Sequence, residues 1–152
     1  MATCTGCCVE LRLPNLKEFH AVARTAVLAI ASRMNFGYAD IKDIELAVGE
    51  AFTNAITHGC PPEKGAQVIT LRCELEEAAL VISIHDPGAG FDPNIVEKAG
   101  RQPEPEADSG RLGVGIAVMK SVMDDVRFEA SPGLGTTVRL TKKLHLDAQE
   151  ER

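Results

Sequence analysis

Four short segments, fixed in order, constrain this chain more than anything else in it. Glu50-Ala-Phe-Thr-Asn54-Ala-Ile-Thr-His58-Gly59 comes first, then Asp86-Pro-Gly88-Ala-Gly90, then Gly110-Arg111-Leu-Gly113-Val-Gly115. Gly133-Leu-Gly135-Thr136-Thr137 closes the set near the C-terminus. The first places a carboxylate and a carboxamide four residues apart, so on a helix both project to one side. The second and third are glycine-rich turns suited to a flat ring and to a polyphosphate. Each alone is common. Together, and in this order, they describe a nucleotide site.

A chain of 152 residues fits one domain, 1–152 with a core at about 9–144 and frayed tails, and such a domain buries roughly two-thirds of its unfolded surface. Only five Phe and one Tyr occur, so Val, Ile, Leu and Ala must build the core. The net charge of -6 argues against direct nucleic-acid binding, which calls for a basic stripe. No apolar run is long enough to span a bilayer, and Met1-Ala-Thr-Cys4 has no secretory pattern. No membrane association and a cytoplasmic location are therefore expected. Cys4, Cys7 and Cys8 cluster, but no histidine joins them at zinc-site spacing. They read as reduced thiols in a frayed tail.

Residues 8–13 alternate as a strand, and Asn15 with Glu18 suggests a capping box for a helix over 16–34. Phe19, Val22, Ala23, Ala26, Val27 and Ile30 recur there at helical spacing. A second helix spans about 40–58, with Ile44, Ala47, Val48, Ala51 and Ala55 as its buried stripe. Asp43, Glu50, Asn54, Thr57 and His58 share its adjacent polar face. Strands at 67–75 and 79–85 suggest a hairpin, and residues 86–113 lack periodicity, as functional or mobile loops do. A helix at 114–123, with Met119, Val122 and Met123 in the core, precedes strands at 126–130 and 136–144. The order β-α-α-β-β-loop-α-β-β indicates an α+β two-layer sandwich, its mixed, mostly antiparallel sheet covered on one face by three helices.

The chemistry follows from residue type. The amide oxygen of Asn54 is a hard ligand suited to Mg2+, and Glu50 can accept a proton from an attacking hydroxyl. Asp86, after the apolar strand Leu80-Val-Ile-Ser-Ile84, can accept a hydrogen bond from an exocyclic amine such as that of adenine. The Gly110 segment offers free N–H groups to an anion, with Arg111 as a further phosphate contact. No Walker lysine follows it, and no βαβ unit with a distal acid surrounds it, so the P-loop and Rossmann patterns both fail. His58 and His85 read as packing histidines, because no nucleophile pattern surrounds either. Residues 101–109 could cover a nucleotide as a lid.

The ordered set resembles the N, G1 and G2 boxes of the GHKL (Bergerat) superfamily of ATP-binding domains. Within it the chain is similar to the bacterial anti-sigma factors that are also serine-protein kinases, closest to the sporulation anti-sigma-F members. Residues 50–59 carry that likeness, as do Met123-Asp-Asp-Val126 and the stretch from Ser131 to Leu144. The resemblance implies that Glu50 is the general base for a serine hydroxyl and Asn54 the Mg2+ ligand. It implies that Asp86 binds the adenine amino group, with Gly88, Gly90 and Thr137 beside the ring. Arg111, Gly113 and Gly115 would contact the phosphates of ATP. Arg24 would lie on a surface shared by an RNA polymerase sigma factor and a STAS-type anti-anti-sigma protein, the phosphorylated substrate. A homodimer is also expected.

The chain departs from the sporulation pattern in two places. Residues 101–109 lack its Phe-Thr-Thr lid stretch, and Phe91-Asp92-Pro93 is closer to the general-stress branch. Other functions compatible with the motifs are a non-catalytic ATP-dependent binding module, a positive-acting switch kinase acting on a STAS scaffold, and an ATP hydrolase. Retention of both Glu50 and Asn54 weighs against the module, since a pure binder needs no base. No phospho-acceptor dimerisation helix precedes the motifs, which disfavours a histidine kinase.

Overall fold

The computed structural model describes residues 6–59, 67–90 and 109–145, the last from residue 113 for its side chains. Strand β1 (Cys7–Pro14) leads through a 3-10 turn (Lys17–Phe19) into α1 (His20–Arg33) and α2 (Tyr38–Asn54). A π-helical turn (Ala55–Gly59) extends α2. The hairpin β2 (Val68–Leu75) and β3 (Ala79–Asp86) follows, then α3 (Ser109–Val122) and the hairpin β4 (Asp125–Ser131) and β5 (Gly135–Lys143). The strands form one five-stranded sheet in the order β1-β2-β3-β5-β4, with every pairing antiparallel.

Strand alternation decides what the sheet buries. On β3, Leu80, Ile82 and Ile84 point into the core; on β5 the inward positions are Val138 and Leu140. They meet Ala23, Val27 and Ala31 of α1, Ile44, Ala47, Val48, Ala51 and Phe52 of α2, and Ile116 and Met119 of α3. The expected stripe of α2 is thus buried in full, as are Met119 and Met123. Val22 is instead 47% exposed, because the inward line of α1 runs through 23, 27 and 31.

Three local expectations need correction. Neither the 3-10 turn nor α1 has a side-chain cap; the backbone N–H of Asn15 instead donates to Gln67 O at 2.9 Å, prolonging the β1–β2 ladder. Helix α3 starts at Ser109 rather than 114, so the glycines of the third segment lie inside its first turns. Cys7 is disulfide-bonded, against the reading of the tail as reduced thiols, whereas Cys8 and Cys73 are free. Burial pushes the Cys73 thiol up to about 12, which leaves it a packing residue. Cys4 and Cys60 lie outside the described residues.

One buried cation joins the layers. Lys142, 6% exposed, takes an inward position on β5. Its Nζ lies 2.8 Å from Asp43 and 3.3 Å from Asp40 at the start of α2, and donates to Val122 O at 2.8 Å at the end of α3.

Candidate functional site

The site lies where α2 ends over the exit of β3. At that point the N–H of Ala55 is shared between Ala51 O and Phe52 O, and the π turn that follows carries His58 and Gly59. Single π turns of this kind frequently mark functional positions. A Cβ at Gly59 would overlap the carboxylate of Asp86, and one at Gly88 would overlap the carbonyl of Gly59. A Cβ at Gly135, which has φ +92, would overlap the carbonyl of Asp86. Three glycines therefore let the backbone close around one acidic side chain.

Asp86 is 5% exposed and its Oδ1 accepts a 3.0 Å hydrogen bond from Gly88 N–H. Burial raises its carboxyl above the usual range, and the Gly88 N–H, His85 and the Thr136 N–H partly oppose that rise. It stands at one end of an otherwise mainly apolar cavity formed with Ala51, Asn54, Ala55, Ile84 and Thr136. The cavity volume is about 30 Å³.

Asn54 faces the same cavity, and its buried Nδ2 has no hydrogen-bond partner. An orphaned buried amide carries a desolvation cost of about 1–3 kcal/mol, which a bound polar ligand removes. Among the described residues no cluster of three or more His, Cys, Asp or Glu side chains could hold a metal ion. A cation here fits only if Asn54 Oδ1 is supplemented by oxygens of the ligand itself, the usual arrangement for Mg2+ on a phosphate chain.

The third segment closes on the first at Gly115. A Cβ there would lie 2.8 Å from Glu50 Oε2 and 3.3 Å from Asn54 Nδ2, so the missing side chain permits α3 to seat against both. Gly113 has open space around it. Arg111 belongs to the first turn of α3, and its side chain lies outside the described residues, as do Phe91-Asp92-Pro93 and residues 101–108 of the expected lid 101–109, whose last residue, Ser109, opens α3. Gly90 adopts φ +78 and lines the cavity.

Thr137 does not join the cavity. Its Oγ1 lies 3.0 Å from His85 Nδ1, and strand alternation turns both to the open face of the sheet. Thr136, opposite Asp86 in the register, is the threonine beside the carboxylate. Sequence reasoning missed it, although the alternation of β5 could have found it. Gly59, taken only as a helix stop, is a wall of the site.

On the outer side of α2 a second concavity of about 480 Å³ is lined by His20 and Arg24 of α1 and Lys42, Glu45, Glu50 and Thr53 of α2. Arg24 Nε is 3.7 Å from Glu45 Oε1, and Lys42 Nζ is 2.7 Å from Glu45 Oε2. The hydrogen bond from Lys42 lowers the Glu45 carboxyl below its ordinary value. Glu50 therefore belongs to both regions: it lines this groove and reaches the Gly115 turn of α3.

Comparison with known proteins agrees with this geometry. Residues 13–142 match the family model described as a histidine kinase-like ATPase domain. The chain is 35% identical over 141 residues to an anti-sigma F factor of Thermoanaerobacter sp., an alignment covering 91% of this chain and 95% of that protein. It is 32% identical over 146 residues to a serine-protein kinase RsbW of Bacillus licheniformis, covering 94% and 89%. In fold it resembles the RsbU and RsbW domains of a Mycobacterium tuberculosis protein, with a TM-score of 0.64 at 20% identity, over 91% of this chain and 32% of that one. The mycobacterial sensor histidine kinase MprB gives 0.54 at 16% identity, over 89% and 97%. The chain belongs to the histidine kinase-like ATPase domain family, and within it to the anti-sigma F factor and RsbW serine-protein kinase group.

Proposed function

We propose that this chain is an anti-sigma factor that also phosphorylates, with Mg-ATP, a serine of a STAS-type anti-anti-sigma protein. One observation carries the catalytic half: Glu50 lines the open groove and also lies against the Gly115 turn of α3, beside Asn54, which lines the cavity around Asp86. A pure nucleotide-dependent binder needs no carboxylate at that boundary. The names of the relatives, anti-sigma F factor and serine-protein kinase, support both halves.

When bound, Mg-ATP supplies the phosphoryl group and the metal that offsets its charge. The chain positions the reactants, which is most of what phosphoryl transfer asks of a protein. Asp86 accepts from the adenine amino group, and Ala51, Ala55 and Ile84 exclude water around it. Asn54 holds the metal through Oδ1. The N–H groups of the first turn of α3 would meet the phosphates, and Arg111 and Gly113 would contact them, as the family resemblance implies. Glu50 takes the proton of the attacking serine hydroxyl. Arg24, on the groove rim, contacts the sigma factor and its competitor in turn. A phosphate on the competitor then prevents its return to the fitted surface, leaving that surface to the sigma factor. A homodimer belongs to the same proposal.

The test is the intact mass of the STAS-type protein encoded nearest to this chain, after incubation with the chain, Mg2+ and ATP. A gain of one phosphoryl group, absent with Glu50→Gln, is expected. No gain with ATP binding intact would return the chain to the non-catalytic module.

A further inference from the structure

We infer that His20 is a positioning residue for Glu50, acting through the carbonyl of Gly49. The inference rests on the phosphotransfer role of Glu50 proposed above. His20 is the first residue of α1, and its Nε2 lies 3.1 Å from Gly49 O. A carbonyl only accepts, so Nε2 carries the proton and donates. The ring stands edge-on to Phe52, with centroids 5.9 Å apart at 77°, and Phe52 is fully buried. The core thus fixes the plane of the imidazole, and the imidazole fixes the carbonyl.

That carbonyl belongs to the one glycine of α2. Glycine within a helix costs about 1 kcal/mol relative to alanine, because its backbone has the most freedom to lose, and Gly49 immediately precedes Glu50. The turn that aims the base is therefore intrinsically loose. A bond from another helix, 29 residues earlier in the chain, removes that looseness without occupying the carboxylate. It leaves Glu50 free to face both the Gly115 turn and the groove. His20 also anchors the start of α1, which has no side-chain cap. Its role is to hold the aim of the base.

The test compares His20→Gln, which keeps an N–H donor near the Nε2 position, with His20→Leu, which keeps bulk alone. In phosphoryl transfer to the STAS-type protein, His20→Leu is expected to lower kcat about ten- to hundredfold, the scale of a misplaced catalytic group. The Kd for ATP should stay within about twofold, since His20 does not line the cavity around Asp86. His20→Gln should recover most of the rate. Amide hydrogen exchange at residues 49–53 should quicken in the Leu variant and return toward wild type in the Gln variant. Unchanged kcat in His20→Leu overturns the inference, as does a parallel fall of kcat, ATP affinity and melting temperature that Gln does not relieve. Should the wild-type chain transfer no phosphate, the proposed function fails on its own account. The exchange measurement, which needs no substrate, then decides: unchanged protection in His20→Leu refutes the positioning role, and loss restored by Gln upholds it.

Discussion

Two carboxylates of this chain sit in opposite environments, and their substitutions should fail in opposite ways. Glu50 lies at an open boundary, so Glu50→Gln removes a proton acceptor while preserving shape. Nucleotide Kd should hold, and transfer should fall by about 10²–10⁴, the contribution of a positioned base; isothermal titration and single-turnover kinetics separate the two. Asp86 is buried, and its carboxyl is raised above the ordinary value by desolvation. The folded state therefore binds this proton more tightly than the unfolded one. Stability from this group falls as pH rises from the ordinary carboxylate range through the raised value, and neutral pH carries the penalty. Asp86→Asn should leave the ligand-free protein at least as heat-stable at pH 7, while weakening ATP about 10- to 100-fold through one lost charge-assisted hydrogen bond. A variant that melts earlier and still binds ATP would make Asp86 a structural residue. In the wild type, ATP affinity should begin to decline on acidification at a higher pH than an ordinary aspartate would give.

Among the elements, periodicity was legible and contact was not. The stripe of α2 could be read because five inward positions repeat through more than three turns. The hairpins could be read because β2, β4 and β5 alternate apolar and polar residues, β3 is an apolar run, and acidic or glycine-rich turns join them. The start of α3 could not, since glycines at 110, 113 and 115 argue against a helix by propensity while packing against α2 overrides them. Gly115 shows what that packing achieves: its bare Cα is the place where α3 meets Glu50 and Asn54. Gly115→Ala puts a methyl 2.8 Å from Glu50 Oε2, the mobile end of a side chain that can swing away. The fold should survive with little change in melting temperature, whereas transfer should drop at least about tenfold as the base is displaced. Unchanged transfer would show that α3 does not set the aim of Glu50. Thr136 and Thr137 teach the complementary point: neighbours in a strand face opposite ways, so a paired threonine motif leaves the choice between them to register.

At the scale of the whole molecule, the two helices that carry the site are tied to the sheet at their far ends. Lys142 interrupts the inward series Val138, Leu140 on β5, a position where sequence patterning expects another apolar residue. It forms ion pairs with Asp40 and Asp43 and donates to Val122 O, so one ammonium holds the start of α2 and the end of α3 together. Burial lowers its pKa, but the two aspartates outweigh that and leave it raised overall. The folded state thus holds this proton more tightly. Its stabilisation is complete below the ordinary lysine value and is lost as pH rises through the raised one. Lys142→Met fills the space but leaves two aspartates without their cation and one helix-end carbonyl without its donor. Breaking a largely buried pair in this way costs about 3 kcal/mol, which in a chain of this length lowers the melting temperature by about 6–12 °C. The loss should shrink in wild-type and variant comparisons made at strongly alkaline pH, where the wild type also gives up the interaction. Because neither Asp86 nor Asn54 touches Lys142, ATP affinity measured well below the melting transition should stay within about threefold of wild type. A large affinity loss at intact stability would mean instead that the far-end tie sets the spacing of α2 and α3 at the nucleotide cavity.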